Sequence, residues 1–265
     1  MTKKIDSLQN KLIKDLVLYK EKSRARRRSG LFLVEGRREI KLAVKGGYEI
    51  EYLIFNPEIT AEDVCSELEP DSNKWIAVSD AVYHRLAYRE GTQGVIAVAK
   101  ARQFQLDELE FNSKNPLVLV AEAPEKPGNI GALLRTADAA SVDAVIIANP
   151  ITDMFNPNIV RSSVGCLFTN PIATGSTDEV ISFLKNKGIA IYCAALQASV
   201  NYTEVDFKKG SAIVLGTEAD GLSKEWLQAS DSNIIIPMHG EIDSLNVSVA
   251  AGIVIFEAKR QRGFN

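Results

Sequence analysis

The 265-residue chain reads as a two-part α/β protein, a small N-terminal α/β region followed by a larger region built on a parallel sheet. Three observations predict this. Beyond residue 116, continuous apolar runs alternate with helix-patterned stretches, the pattern of a parallel sheet covered on both faces. Before residue 102, strands and helices alternate on a shorter scale. Between them, residues 103–116 (QFQLDELEFNSKNP) are polar, weakly patterned and end in Pro116, so they read as a linker. The predicted division is 1–102, 103–116 and 117–265.

The first region opens with a helix from Gln9 to about Arg28, on which Leu12, Leu16 and Tyr19 recur at helical spacing. Leu31–Gly36 (LFLVEG) is a short strand, and REIKLAVK is a helix stopped by Gly46 and Gly47. YLIF (52–55), WIAVS (75–79) and GVIAVAK (94–100) complete the strands of this unit. In the second region the strands are PLVLVAEA (116–123), DAVIIAN (143–149), IAIYCAAL (189–196), SAIVLGTE (211–218) and NIIIPM (233–238). Helices are expected over 129–141, with Ile130, Leu133, Leu134 and Ala137 on one face, over a stretch capped by Thr177-Asp178, and from Asn246 to about Arg262.

Composition excludes several classes. Apolar residues are 46% and charged residues 25%, as in ordinary globular domains. No run of eighteen apolar residues exists, and the start, MTKKIDSLQNKLIKD, has no apolar signal core. Cys65, Cys166 and Cys193 are odd in number and far apart, which gives neither a disulfide framework nor a metal pattern. With only His84 and His239 beside them, no metal is expected, and a reducing cytoplasm is the expected compartment. Neither G-x-G-x-x-G nor G-x-x-x-x-G-K-[ST] occurs, so dinucleotide and P-loop readings lose their support.

The net charge of −3 hides a gradient. Residues 1–50 hold 14 Lys and Arg against 6 Asp and Glu, net +8, while the other 215 residues are net −11. The densest basic stretch contains Arg24, Arg26, Arg27 and Arg28, and Arg37 follows nearby. A basic patch on an acidic protein points to a polyanionic partner, because bound Lys and Arg release phosphate counterions. The competing reading is a solvated helix face laced with i,i+4 pairs.

Three loops follow strands of the second region, where open parallel sheets bind ligands. The first is Glu125-Lys-Pro-Gly-Asn129-Ile-Gly131-Ala-Leu-Leu-Arg135. Asn129 can cap the next helix, and Arg135 lies on a stripe with the small residues Gly131 and Ala139; alternatively Arg135 simply pairs with Asp138. The second is Leu215-Gly216-Thr217-Glu218-Ala-Asp220-Gly221-Leu222. Its glycines permit close backbone approach, and Glu218 could hold a positive group, while Asp220 or Ser223 could be a helix cap. The third runs from Ile236 through Pro237, Met238 and His239 to Ser244, Leu245 and Asn246. Ser244 or Asn246 can cap the last helix, and His239, with no partner identifiable, reads as an exposed loop histidine.

Taken in order, NIGALLRT, LGTEADGL and IPMHGEIDSLNVSVAA resemble the three motifs of the SpoU/TrmH-type RNA 2′-O-methyltransferases. A fourth stretch, Asn156-Pro-Asn-Ile-Val-Arg161-Ser162-Ser-Val164-Gly165, resembles another segment of that family, although Ser162 and Val164 stand where many relatives have alanine. The likeness covers about Pro116 to Arg262. The front region, ending in Gly91-Thr92-Gln93-Gly94-Val95, more loosely resembles the family's ribosomal-protein-like substrate-binding domain.

The resemblance implies a deep trefoil knot in the C-terminal sheet, which sequence pattern alone cannot show. It implies a homodimer that binds S-adenosylmethionine and methylates a ribose 2′-hydroxyl of RNA, ribosomal RNA ahead of transfer RNA, with no metal and no membrane. A non-catalytic RNA-binding or ribosome-assembly protein of the same fold is the alternative. By motif, Leu196, Gly216, Ile236, Met238 and Leu245 would touch the cofactor. Arg135 would be the catalytic arginine, acting on the developing alkoxide by its charge, because a free guanidinium holds its proton too tightly to be a base. Asn129 and Glu218 would position Arg135 and the cofactor side. Ser244 and Asn246 would orient ribose or phosphate, and Arg161 would be a phosphate ligand beside Arg24, Arg26, Arg27, Arg28 and Arg37.

Overall fold

The computed structural model describes residues 2–88, 93–197, 199–217, 220–241 and 244–264. In chain order the elements are β1 (Lys3–Ile5), α1 (Lys11–Glu21), α2 (Ser23–Ser29), β2 (Leu31–Glu35), α3 (Arg37–Lys45), β3 (Ile50–Phe55), α4 (Glu62–Leu68), β4 (Trp75–Val78), α5 (Asp80–Leu86) and β5 (Val95–Lys100). They continue with β6 (Leu117–Glu122), α6 (Pro127–Ala139), β7 (Ala144–Ala148), α7 (Pro157–Ser162), α8 (Cys166–Thr169), β8 (Ile172–Gly175) and α9 (Thr177–Asn186). The last are β9 (Ala190–Ala194), β10 (Val200–Asn201), β11 (Ser211–Leu215), α10 (Lys224–Ala229), β12 (Ser232–Ile235) and α11 (Val247–Gln261).

Two compact units form. The first holds residues 1–103 and also 153–169. Its sheet has the order β1-β4-β3-β5-β2, with β5 antiparallel to both neighbours. Ile13 and Leu16 of α1 and Val82, Tyr83 and Leu86 of α5 pack on Ile54, Ile76 and Val98 of the sheet. An aromatic cluster brings the later segment into this unit: Phe155 stacks on Phe32 at 4.2 Å between centroids, and Phe168 meets Tyr48 edge-on at 5.1 Å. Such rings bury large apolar areas, so they hold a distant stretch of chain firmly.

The expected helix from Gln9 to Arg28 is two helices. Asn10 caps α1, accepting a hydrogen bond from the Leu12 amide, and the chain breaks at Lys22, which is extended. The apolar stripe ends at Tyr19, so nothing in the core obliges the helix to run straight on. Gly30, at φ +68°, closes α2.

The second unit holds residues 104–152 and 170–265. Its seven strands are all parallel, in the order β10-β12-β9-β11-β6-β7-β8. The strands β6, β7 and β11 are buried along their whole length, as their unbroken apolar sequences require. Val118, Val120 and Ile146 pack with Val180 and Leu184 of α9 and with Trp226 of α10. The helices α6 and α11 pack on each other and on β7 and β11.

Several boundaries differ from expectation. β8, β10 and α10 were not legible, being short and flanked by polar residues. Ser176, not Thr177-Asp178, caps α9, in a reciprocal capping box with Glu179. The stretch expected to be a linker is packed: Leu109 is buried in the core of the second unit with Leu106 and Phe111 against it, and Phe104 accepts a hydrogen bond from the Thr174 amide. Three apolar side chains in a polar sequence sufficed to tie it down. Among the described residues, no helix is long and apolar enough to cross a membrane.

Candidate functional site

The carboxyl ends of β9, β11 and β12 open into one cleft of about 410 Å3. That volume lies within the roughly 300–1,000 Å3 of small-molecule sites. Leu196 and Gln197 line it from the turn after β9, Thr217 and Leu222 from the turn after β11, and Ile236, Met238, Ser244 and Leu245 from the chain after β12. Four of the five residues expected at a cofactor, Leu196, Ile236, Met238 and Leu245, therefore meet in one place, and Ser244 joins them. Leu196 is 61% exposed, a large apolar side chain left on the surface. A wall of apolar side chains interrupted by Gln197, Thr217 and Ser244 suits a ligand with an apolar face and a polar rim.

Gly216 lies where the chain after β11 folds back on itself. A Cβ there would collide with the Gly221 carbonyl and the Leu222 nitrogen. The turn folds back this closely because Thr217 and Gly221 exchange backbone hydrogen bonds of 2.9 and 3.2 Å, and the Thr217 hydroxyl accepts from the Asp220 amide. Thr217 and Gly221, both of which line the cleft, come together at this close approach. Glu218 lies outside the described residues.

The first helical turns of α6 and α11 meet beside this wall. Asn246 caps α11: its Oδ1 accepts from the Ser248 amide at 3.0 Å, while its Nδ2 donates to Asn129 Oδ1 at 3.2 Å. Asn246 directly follows the cleft-lining pair Ser244 and Leu245, so this contact ties α6 to the cleft. Asn129 is not a cap, as expected, but sits in the first turn of α6, because Pro127 already starts the helix. Arg135 lies six residues further on, about 9 Å along the axis. Its side chain is exposed, and among the described residues it makes no hydrogen bond or ion pair, neither with Asp138 nor with Asn129. His239 is exposed, as expected of a loop histidine.

The basic residues of the first unit separate into two kinds. Arg24, Arg27 and Arg28 are exposed on α2. Arg26, expected on the same surface, is a correction: it is 4% exposed, and its Nε donates to Asp153 at 2.6 Å while an Nη donates to the Tyr19 carbonyl at 2.6 Å. Helix geometry explains the difference. At 100° per residue, Arg24, Arg27 and Arg28 share a face and Arg26 points the opposite way. There it satisfies a free carbonyl near the end of α1. Arg37 is half-buried at the start of α3, and its Nε is enclosed without a hydrogen bond. Arg161 is exposed in the same unit, 5.5 Å over the ring of Tyr88. Tyr88, 44% exposed, donates its hydroxyl to Asn158 at 3.0 Å and its amide to Glu35 at 2.6 Å. Sequence reasoning missed Tyr88, which has no motif around it, and also Glu122, buried at the end of β6.

Comparison with known proteins bears on this arrangement. Residues 116–256, more than half the chain, match the SpoU rRNA Methylase family. The chain belongs to the SpoU rRNA methylase family. Residues 10–97 match the MRM3-like substrate binding domain, so the front region of this SpoU protein also has a recognised counterpart. The 23S rRNA (guanosine(2553)-2′-O)-methyltransferase RlmP of Bacillus subtilis is 30% identical over 97% of this chain and 99% of its own length. A crystal structure of an RNA 2′-O ribose methyltransferase is 35% identical, covers 98% of this chain and 99% of its own, and superposes with a TM-score of 0.84. The SpoU methyltransferase AviRb from Streptomyces viridochromogenes, in complex with AdoMet, is 29% identical over 96% and 98% of the two chains, with a TM-score of 0.88. The seven-stranded parallel sheet is therefore the SpoU fold, which is a trefoil knot, and the enzyme class and methyl donor expected from the motifs stand with that membership.

Proposed function

We propose that this protein transfers the methyl group of S-adenosylmethionine to a ribose 2′-hydroxyl of ribosomal RNA, that of the large subunit in particular. The single observation that carries the reading is the convergence of residues from three separated turns on one cleft, next to a helix that bears the exposed Arg135. The full-length 23S rRNA-modifying relative supports the substrate class.

When bound, the donor supplies an activated methyl group and its own leaving group. The chain's residues do the rest. Leu196, Ile236, Met238 and Leu245 exclude water and enclose the donor. The Asn129–Asn246 hydrogen bond fixes the two helix starts, so that Asn246 and Ser244 present polar groups to ribose or phosphate. Arg135 stabilises the negative charge that grows on the 2′-oxygen, the kind of preorganised electrostatics that contributes most in many active sites. Glu218 is assigned to the cofactor side by motif alone.

On the first unit, Arg24, Arg27, Arg28 and Arg161 take phosphates, and Tyr88, its phenol and its amide both tied down, offers a face on which an unpaired base can stack. The protein works as a homodimer. Val249 and Phe256, seven residues apart on α11, are 50% and 43% exposed and form one apolar stripe that a second copy would cover. It acts in the cytoplasm, consistent with three free, buried cysteines.

The test is transfer of labelled methyl from S-adenosylmethionine to RNA, followed by mapping of ribose methylation. Methylation of one nucleotide of large-subunit RNA is expected. A product confined to transfer RNA would overturn the substrate assignment, and no transfer to any RNA would overturn the activity.

A further inference from the structure

Glu122 is 5% exposed at the last position of β6, in the middle of the seven-stranded sheet. Among the described residues no ion pair neutralises it. Both its oxygens accept from neutral donors: Oε1 from the Thr177 hydroxyl at 2.9 Å, and Oε2 from the Ser223 amide at 2.9 Å. The Thr177 hydroxyl in turn accepts from Asn149 Nδ2 at 2.9 Å, so its own proton is committed to Glu122. Asn149 also accepts from the Thr177 amide at 3.2 Å. The chain of bonds thus joins the end of β7, the start of α9 and the end of β6 to Ser223.

Ser223 is the residue after Leu222, and Asp220, Gly221 and Leu222 line the cleft. Ser223 also precedes α10, but its side chain makes no cap bond there, and its Oγ is buried without a partner. Its amide bond to Glu122 therefore tethers this arm of the turn to β6, beside the bonds that Thr217 makes to Asp220 and Gly221. A buried carboxylate is costly unless its hydrogen bonds are met, so it is a demanding way to hold a turn and a geometrically exact one.

We propose that Glu122 is a positioning residue: from behind the cleft wall it fixes the 220–223 arm, and through that arm it sets the affinity for the methyl donor. The inference rests on the reading of the cleft as the cofactor site. Gln is the sharp probe, because it has the same shape but one acceptor fewer. Placing its amide against Ser223 sets donor against donor. Placing it against Thr177 leaves the hydroxyl proton with no acceptor.

The experiment measures S-adenosylmethionine binding by titration calorimetry and steady-state methylation of RNA, on full-length wild type, Glu122→Gln and Thr177→Val. For Glu122→Gln, Kd and KM for the donor rise about ten-fold. At saturating donor, kcat and the KM for RNA stay within about two-fold of wild type, the split expected when uniform binding is lost. Thr177→Val, which leaves Glu122 and its bond to Ser223 in place, shifts the donor KM in the same direction by less. An unchanged donor KM in Glu122→Gln overturns the proposal, as does a parallel loss of kcat and of both KM values. Wild type that takes up no donor overturns the cofactor reading itself, a different outcome from a variant that binds as well as wild type.

Discussion

The two compact units carry their functional residues in opposite ways. In the second, candidate groups reach the cleft on turns that follow strands of the parallel sheet, and much of what they offer is apolar side chain, that of Leu196, Ile236, Met238 and Leu245. In the first, they are long cations on a seven-residue helix, where the face of the helix decides which charge reaches solvent. A motif on a strand end fixes both identity and place, because the sheet leaves few alternatives. A basic run on a helix fixes identity only, and Arg26 shows the consequence.

This contrast can be attacked from both sides. The largest expected effect is at Arg135. Arg135→Ala should lower kcat by about 10²–10³, the usual cost of removing one preorganised stabilising donor, with little change in donor affinity. Measured single-turnover rates that match wild type would remove Arg135 from the chemistry. In the first unit, Arg26→Ala should destabilise the fold by about 3–5 kcal/mol, because the Asp153 carboxylate, only 10% exposed, loses its partner. Chemical denaturation checks this. A stability within error of wild type would return Arg26 to the surface.

Gly216→Ala should weaken S-adenosylmethionine about ten-fold or more, because the new methyl collides with backbone that cannot rotate away. Calorimetric titration of the folded variant decides it. Arg28→Ala should leave thermal stability unchanged, weaken RNA a few-fold and lower the slope of log affinity against log salt by about one. The smallest effect concerns the cysteines. Burial pushes the thiols of Cys65 and Cys193 up to about 11. Both should therefore stay protonated at pH 8 and resist iodoacetamide in the folded protein, whereas all three cysteines react in denaturant. Mass spectrometry of the alkylated chain reads the outcome.

The sequence made the second unit legible because parallel strands buried on both faces have continuous apolar runs, and β6, β7 and β11 have them. It left β10 dark, since two residues have no period. The return of 153–169 to the first unit was equally hidden: Phe155 and Phe168 read as ordinary apolar residues until their partners Phe32 and Tyr48 are known. At the cleft, four of the motif residues meet in one place, but how closely Gly221 folds back over Gly216 is something no one-dimensional spacing encodes. Glu122 was invisible for a similar reason. A lone acidic residue at the end of an apolar run resembles an ordinary strand terminus, and only the approach of Thr177 and Ser223 gives it meaning.

The central claim is that turns far apart in the chain form one receptacle for the methyl donor. Hydrogen exchange with and without S-adenosylmethionine tests it most directly, since it reports each turn separately. Amides at 195–197, 220–223, 238–241 and 244–245 should slow together as donor is added, with one shared concentration dependence. Protection that falls on only one of these turns, or on the first unit while all three exchange as before, would contradict it.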